Sequence, residues 1–212
     1  MAITSHLLQG PRVVIRHVRR QDYDELTVLA RESAEMLRRW LGARENTVEA
    51  FESYLERFGQ PTHEGLVICL RGGGAIVGGV NINNIARGTL QSGTLGYTSY
   101  ASTTGRGYMT EGLRLVLQFA FGPLELHRLE ANIQPDNTSS LNLVKRLGFQ
   151  REGYSTAFQY VNGEWRDHER WAITAELART DRTAHGLPRS SASEKKGNPP
   201  AGPGPGPGPG RP

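Results

Sequence analysis

A glycine-rich turn, Thr103 to Gly112, constrains the fold of this chain more than any other stretch of its sequence. Residues 94–100 before it have the pattern of a strand, and Leu113 to Phe121 after it have the apolar spacing of an amphipathic helix. A helix that starts after a strand and a glycine turn can bind anions, because its first N–H groups are unpaired and its dipole adds about half a positive charge. Gly105 and Gly107 carry no Cβ to hold a phosphate away from the backbone, and Arg106 adds a full charge. We therefore predict that this turn binds a pyrophosphate.

Two common phosphate-binding motifs do not fit the turn. A dinucleotide fingerprint needs a third glycine where this chain has Thr110, and a Walker A loop needs a lysine that does not follow here. A plain turn that uses glycine only for its backbone angles remains an alternative at this point.

The charge of the chain is concentrated at its C-terminal end. The net charge of the 212 residues is +4, and residues 179–212 carry all of it, so residues 1–178 are neutral overall. A neutral folded part argues against a specific nucleic-acid partner. Gly202 to Gly210 alternates glycine and proline, a composition that cannot offset its ordering entropy. We predict one folded domain, 1–178, and a disordered tail, 179–212.

The positions of the cysteine, the histidines and the apolar residues argue against a disulfide-rich, a metal-binding or a membrane-spanning protein. The single cysteine, Cys69, lies in an apolar run, so neither a disulfide framework nor a cysteine metal cluster is expected, and a reducing cytoplasm is the expected location. The histidines have no metal-ligand spacing, so we predict no metal. No apolar run approaches the roughly 20 residues that span a membrane, and the N-terminus lacks a signal-peptide core. We expect no membrane contact.

Strand and helix patterns follow one another along the chain. Glycine and polar turns separate three of the strands closely, which predicts an antiparallel meander. Thr47 is a predicted N-cap, Gly148 a predicted helix stop, and Asn162-Gly163 a predicted type I′ hairpin turn. The predicted strands are Val13–Val18, Gly65–Arg71, Ala75–Ile85, Thr89–Tyr100, His127–Gln134, 150–161 and 164–174. The predicted helical segments begin at Asp22, Met36, Val48, Tyr108 and Ser139.

This element order resembles the GNAT N-acetyltransferase fold, and four stretches resemble the family in detail. Gly96-Tyr97 followed by residues 105–111 is similar to the coenzyme A pyrophosphate loop, and residues 136–149 are similar to the second family signature. Residues 161–168 and 81–88 resemble the RimJ/RimL branch, RimJ in particular, which acetylates N-terminal alanines of ribosomal proteins. The resemblance covers about residues 10–176. It implies an α/β (α+β) fold: a central, mixed, mostly antiparallel, twisted sheet of about seven strands flanked by about four helices.

The resemblance also implies site residues, with acetyl-CoA as co-substrate. Ser140 and Asn137 are the catalytic candidates: Ser140 would stabilise the departing thiolate, and Asn137 would orient the pantetheine or the helix start. Alternatively, Ser140 caps a helix turn or only binds the coenzyme, and Lys145 either meets a phosphate or is solvated. The expected coenzyme-binding residues are Thr98, Ser99, Tyr100, Gly105, Arg106, Gly107, Tyr108, Met109, Thr110, Asn137, Asn142 and Lys145.

Three positions depart from the family pattern. Thr104 replaces the usual Gln or Arg, Met109 replaces a small residue, and Gln159 falls where the RimL type has its glutamate base. We expect Glu111 to be structural. Asp167 and His168 look like a dyad, but neighbours on a strand point to opposite faces, so a hydrolase is not favoured.

The acceptor that the resemblance implies is the N-terminus of a protein, possibly a ribosomal one, bound by a monomer or homodimer. Two alternatives remain open: an acetyltransferase for a small-molecule amine, and a module that binds acyl-CoA without turnover.

Overall fold

The computed structural model of this protein describes residues 6–41 and 47–184. Within these residues the chain forms one eight-stranded sheet and six α-helices. The strands are β1 (Leu8–Gln9), β2 (Val13–His17), β3 (Glu64–Leu70), β4 (Ile76–Ala86), β5 (Ser92–Ser99), β6 (Arg128–Ile133), β7 (Gln150–Val161) and β8 (Glu164–Thr174). The helices are α1 (Tyr23–Glu32), α2 (Ala34–Leu41), α3 (Val48–Arg57), α4 (Tyr108–Phe121), α5 (Thr138–Arg146) and α6 (Ala175–Ala184).

The sheet has the strand order β1-β2-β3-β4-β5-β6-β8-β7. Neighbouring strands are antiparallel except β5 and β6, which are parallel. The predicted meander is β3-β4-β5, and the predicted hairpin joins β7 and β8. In that hairpin Asn162 and Gly163 have φ values of 54° and 83°, as a type I′ turn requires. The predicted mixed, mostly antiparallel sheet is confirmed.

Helices cover both faces of the sheet. Apolar side chains of α4 and α5 pack with β2–β6 and β8 in the larger core, which contains Leu113, Val116, Leu141 and Trp171. A smaller core on the other face joins Val14, Val67 and Tyr100 to partly buried residues of α1 and α3. We refer to these as the α4 face and the α1 face. No helix in the described ranges is both long and apolar enough to cross a membrane.

The parallel pair β5–β6 opens partway along its length. Its register joins only Ser92 to Arg128, Gly93 to Leu129 and Thr94 to Glu130. Beyond this point β5 stays paired with β4 as far as Ser99, and β6 stays paired with β8 as far as Ile133. The two inner strands therefore separate while each keeps its outer neighbour. This leaves a gap in the middle of the sheet whose walls carry unpaired backbone groups.

An ion pair between β2 and the turn before α1 is buried on the α1 face. Arg16 Nη1 and Nη2 donate to the two carboxylate oxygens of Asp22 at 2.7 and 2.8 Å, and Asp22 also accepts from the Arg19 N–H. The hydrogen bond with Asp22 raises the pKa of Arg16, despite the opposing effect of burial. Burial raises the pKa of the neighbouring Cys69 thiol to about 11, against a smaller opposing effect of Arg16. Cys69 is therefore a protonated core residue at neutral pH.

Two short elements differ from the sequence prediction. β1 is only two residues long, too short to show the alternation of apolar and polar residues that predicts a strand. α6 follows β8 directly. The predicted domain boundary at residue 178 falls inside α6, and the predicted tail from residue 185 onward lies outside the described residues. The observed numbers, eight strands and six helices, thus exceed the expected seven and four.

Candidate active site

A cleft of about 1450 Å³ runs through the gap between β5 and β6. On the α1 face it is bounded by residues of α1–α3, and at one end it reaches the glycine-rich turn. Most predicted site residues meet here. The lining includes Thr98, Ser99, Tyr100, Gly105, Gly107, Tyr108, Met109, Thr110, Asn137, Ser140 and Asn142.

The turn has the geometry of an anion site. Gly105 and Gly107 have φ values of 80° and 76°, in the left-handed region that favours glycine. Gly107 is the N-cap of α4, and the N–H groups of the first turn of α4 have no acceptor within the helix. Thr103 and Thr104 hold the turn at the end of β5, because both hydroxyls donate to the Tyr100 carbonyl at 3.1 and 3.0 Å. The threonine that replaces the family's usual residue at 104 therefore has a structural partner.

Glu111 fastens the start of α4 to the segment before β2. Its carboxylate accepts from Arg12 N at 2.7 Å, Arg12 Nε at 2.8 Å and Val13 N at 3.2 Å. Burial raises its pKa, but these donors outweigh burial, so the pKa of Glu111 lies below its usual value. Arg12 also donates to the Arg106 carbonyl at 3.0 Å and stacks over the Tyr108 ring. Arg12 is thus a cation beside the turn that the sequence analysis did not identify.

Ser140 and Asn137 lie on the opposite wall of the gap. Asn137 caps α5, since its side-chain oxygen accepts from Ser140 N at 3.1 Å. The Ser140 hydroxyl is 2.5 Å from the hydroxyl of Tyr97, which reaches it from β5. Burial, partly opposed by the Ser140 hydrogen bond, raises the pKa of Tyr97 to about 12. The phenol is therefore protonated at neutral pH and can donate to Ser140.

Two residues of the predicted coenzyme-binding set do not line the cleft. Arg106 meets Arg12 through its backbone carbonyl, and its side chain is exposed. Lys145 lies on α5 with its ammonium 5.6 Å from the centre of the Trp171 ring, on the α4 face.

The α1-face part of the cleft is poor in free carboxylates. Among the described residues only two carboxylates line it, Glu130 and Asp136. Glu130 is paired with Arg128 at 2.9 Å, and Asp136 is paired with Arg39. Gln159 also lines the cleft, so an amide, and not a carboxylate, faces it where the resemblance implies the RimL-type base. No cluster of three potential metal ligands is present in residues 6–41 and 47–184.

Asp167 and His168 have different partners. Asp167 accepts from the Ala157 N–H and the Tyr154 hydroxyl, each at 2.8 Å, and these two donors lower its pKa. His168 is 3% exposed and lines the cleft. From its sequence pattern His168 is expected only as half of a dyad with Asp167, and its place in the cleft is not predicted.

The sequence is similar to a known family over most of its folded part. The model of the acetyltransferase (GNAT) domain matches residues 12–150. The probable N-acetyltransferase YjcK of Bacillus subtilis is 31% identical over 174 residues, which cover 79% of this chain and 96% of that protein. The ribosomal protein uS5-alanine N-acetyltransferase of Escherichia coli is 36% identical over 99 residues, 47% of this chain and 51% of that protein.

A solved structure shares both the fold and some sequence. RimJ of Mycobacterium smegmatis, solved in complex with CoA-disulfide, superposes with a TM-score of 0.75 at 30% identity. The superposition covers 84% of this chain and 93% of that one.

Proposed function

Since this chain belongs to the GNAT family of N-acetyltransferases and is an acyltransferase, we propose that it acetylates the N-terminal amine of a protein. The donor is acetyl-CoA, and the proposed acceptor begins with alanine and is a ribosomal protein. The name of the similar uS5-alanine N-acetyltransferase of Escherichia coli supports this acceptor class. The single buried thiol is consistent with work in the reducing cytoplasm.

The observation that carries the proposal is the opened β5–β6 pair, which leads to the glycine turn at the start of α4. The unpaired N–H groups at residues 105–110 would hold the pyrophosphate, with Arg12 beside it. The pantetheine arm would then lie between the separated strands. Backbone N–H groups of β5 near Thr98 would face the thioester carbonyl and stabilise negative charge on its oxygen.

Transfer occurs in one complex, without a covalent enzyme intermediate. The neutral amine attacks the thioester carbon, the C–S bond breaks, and the thiolate sulfur takes up a proton. Tyr97 and Ser140 form a hydrogen-bonded pair. In the complex the phenol would donate to Ser140, and the Ser140 hydroxyl would donate to the sulfur. A charged acceptor strengthens such a bond, so the pair stabilises the thiolate as it forms.

The acceptor end of the cleft supports an N-terminal amine over a polycation. A polyamine or aminoglycoside needs several free carboxylates, whereas the two in the described lining are already paired with arginines. An α-amino group also needs less help to lose its proton. At pH 7.4 about a quarter of α-amino groups are neutral, compared with about one lysine side chain in a thousand.

The proposal is tested with acetyl-CoA and a short peptide that begins with alanine, measuring thiol release and locating the acetyl group by mass spectrometry. The control peptide has the same sequence with a blocked N-terminus and one internal lysine. We expect release only with the free terminus. Release with small amines and not with the peptide would support the small-molecule alternative. Coenzyme binding without release for any amine would support the non-catalytic alternative.

A further inference from the structure

His168 presents its side chain to the acceptor part of the cleft. It lies three residues from Trp171 on β8, and Trp171 belongs to the core on the α4 face. Since side chains alternate along a strand, His168 points to the α1 face. It is almost fully buried, yet it lines the cleft together with Gln134 and Phe158.

The strand registers place His168 at about the same height along the sheet as Thr98, near which the thioester is proposed to lie. Ile133 pairs with Glu169, so one step further along β6 places Gln134 opposite His168. Ser92 pairs with Arg128 in the parallel ladder, and extending this offset beyond the last pair, Thr94 with Glu130, sets Thr98 level with Gln134. By this extension Thr98 and His168 lie at one level along the strands, on the two sides of the gap. Two strand spacings, about 10 Å, separate β5 and β8 where β5 and β6 are paired, and the distance is larger in the opened part, where the gap for the thioester lies.

The hydrogen bonds of His168 define its tautomer. Its Nδ1 is 3.0 Å from the Arg166 carbonyl oxygen, which can only accept, so Nδ1 carries the hydrogen in the neutral ring. Nε2 is then left with a lone pair. No hydrogen bond to Nε2 forms within the described parts of the chain, and the Phe158 ring packs 5.4 Å from the imidazole centre. The ring is thus held in place with its proton-accepting nitrogen free.

We infer that His168 is the general base of the reaction, in place of the carboxylate that Gln159 does not supply. The inference rests on the proposed function. The amine nitrogen bonds to the thioester carbon, and its surplus proton passes to His168 Nε2, directly or through one water, and then to solvent. The C–S electron pair leaves with the sulfur, and the thiolate is held by the Ser140 hydrogen bond until it takes up a proton from solvent. The products are the N-acetylated acceptor and free coenzyme A.

Four charged residues lie beside His168 on β8: Arg166 and Arg170 on the same face of the strand, and Asp167 and Glu169 on the opposite face. On its own strand, Asp167 is held by Ala157 and Tyr154, and Arg166 is paired with Glu164 at 2.9 Å. The facing residues of β7 and β6, Ser155 and Gln134, are neutral. An ionisation in the activity profile that is lost with His168 is therefore assigned to this imidazole.

The test compares wild type with His168→Gln, using the alanine peptide at saturating acetyl-CoA across pH 5.5–9. Each kcat/KM value is divided by the neutral fraction of the peptide amine, measured by separate titration. We expect the variant to lose about 10²-fold in the corrected rate at neutral pH. The corrected wild-type rate should fall as the pH is lowered, and the corrected variant rate should be flat. Coenzyme affinity should stay within about twofold. His127→Gln, at an exposed histidine paired with Glu176, is the matched control and should behave as wild type.

A second measurement needs no variant. In the ¹⁵N spectrum of histidine-labelled wild type, the His168 ring should show the Nδ1–H tautomer. The inference is overturned if the spectrum shows Nε2–H, or if His168→Gln keeps the wild-type rate and pH profile. It is also overturned if rate and coenzyme affinity fall together at every pH. A wild type that releases no thiol with any amine would instead refute the proposed function.

Discussion

Replacing Gly107 tests whether the turn before α4 binds the coenzyme. Gly107 has a φ of 76° and lines the cleft, whereas Gly88 has a φ of 71° in the β4–β5 turn, with open space around it. A side chain at either position costs about 1–2 kcal/mol of backbone strain. The two substitutions therefore match in strain and differ in whether the new side chain meets the ligand.

The expected magnitudes separate strain from ligand contact. For a chain of this size, about 1–2 kcal/mol lowers the melting temperature by about 2–8 °C in both Gly107→Glu and Gly88→Glu. At Gly107 the carboxylate also faces the pyrophosphate. Two unit charges about 4 Å apart repel by about 4 kcal/mol near a protein surface, which corresponds to about a thousandfold in affinity. We expect coenzyme binding to be lost in Gly107→Glu and unchanged in Gly88→Glu.

Calorimetric titration with coenzyme A measures the affinity, and a thermal melt of each variant checks the strain. Gly107→Ala gives an intermediate case, because its added Cβ would lie 3.4 Å from Arg12 and carries no charge. If Gly107→Glu bound coenzyme A with wild-type affinity, the assignment of the turn as the pyrophosphate site would be wrong.

Three further perturbations address other parts of the structure. Asp22→Ala should destabilise the fold by about 3–5 kcal/mol in urea unfolding, because it leaves Arg16 buried and unpaired. Glu111→Gln should lower the melting temperature at pH 7, because the pKa of Glu111 is lower in the folded than in the unfolded protein. The stabilisation by the carboxylate is therefore present above the unfolded pKa of about 4.3, and it is lost as the pH falls through the folded pKa. Tyr97→Phe should lower kcat about fivefold to tenfold at unchanged KM for acetyl-CoA, because Ser140 loses one hydrogen-bond donor.

Each of these has a matched comparison. The control for Asp22→Ala is Glu52→Ala, which breaks an exposed ion pair with Arg20 and should cost less than about 1 kcal/mol. The difference in melting temperature between wild type and Glu111→Gln should become smaller below pH 4, and a difference that is constant with pH would refute the depressed pKa. The double variant Tyr97→Phe, Ser140→Ala should be no slower than Ser140→Ala alone if the two hydroxyls act in series.

The parts of the site that depend on local sequence could be predicted. Gly105 and Gly107 have the left-handed backbone that their residue type allows, Thr47 caps α3 through Ala50, and Asn162-Gly163 forms its turn. In each case the determining residues lie within four positions of one another, so short-range propensity is sufficient. The pairing of Arg12 with Glu111 spans 99 positions, and no local pattern reveals it.

The acceptor side could not be predicted, for two physical reasons. First, β8 lies between β6 and β7, so the common level of Thr98 and His168 is created by registers between distant segments. Second, the alternation of β7 is broken between Ser155 and Gln159, where Ala157 has a φ of 47° although alanine has no preference for that region.

The break in β7 accompanies the presence in one cleft of Gln159, at the expected position of the family's base, and His168, the proposed base. Asp167 accepts the Ala157 N–H and so fixes the bulge. The bulge carries Phe158 against the His168 ring, whose Nδ1 is already bound to the Arg166 carbonyl. A carboxylate on β7 is not needed if the proton acceptor comes from β8, one strand nearer the gap. Asp167→Asn weakens the hydrogen bond from the Ala157 N–H, and residue 167 does not line the cleft. The variant should therefore have a lower kcat and an unchanged affinity for the coenzyme. Equal kcat in this variant would mean that the bulge does not position His168.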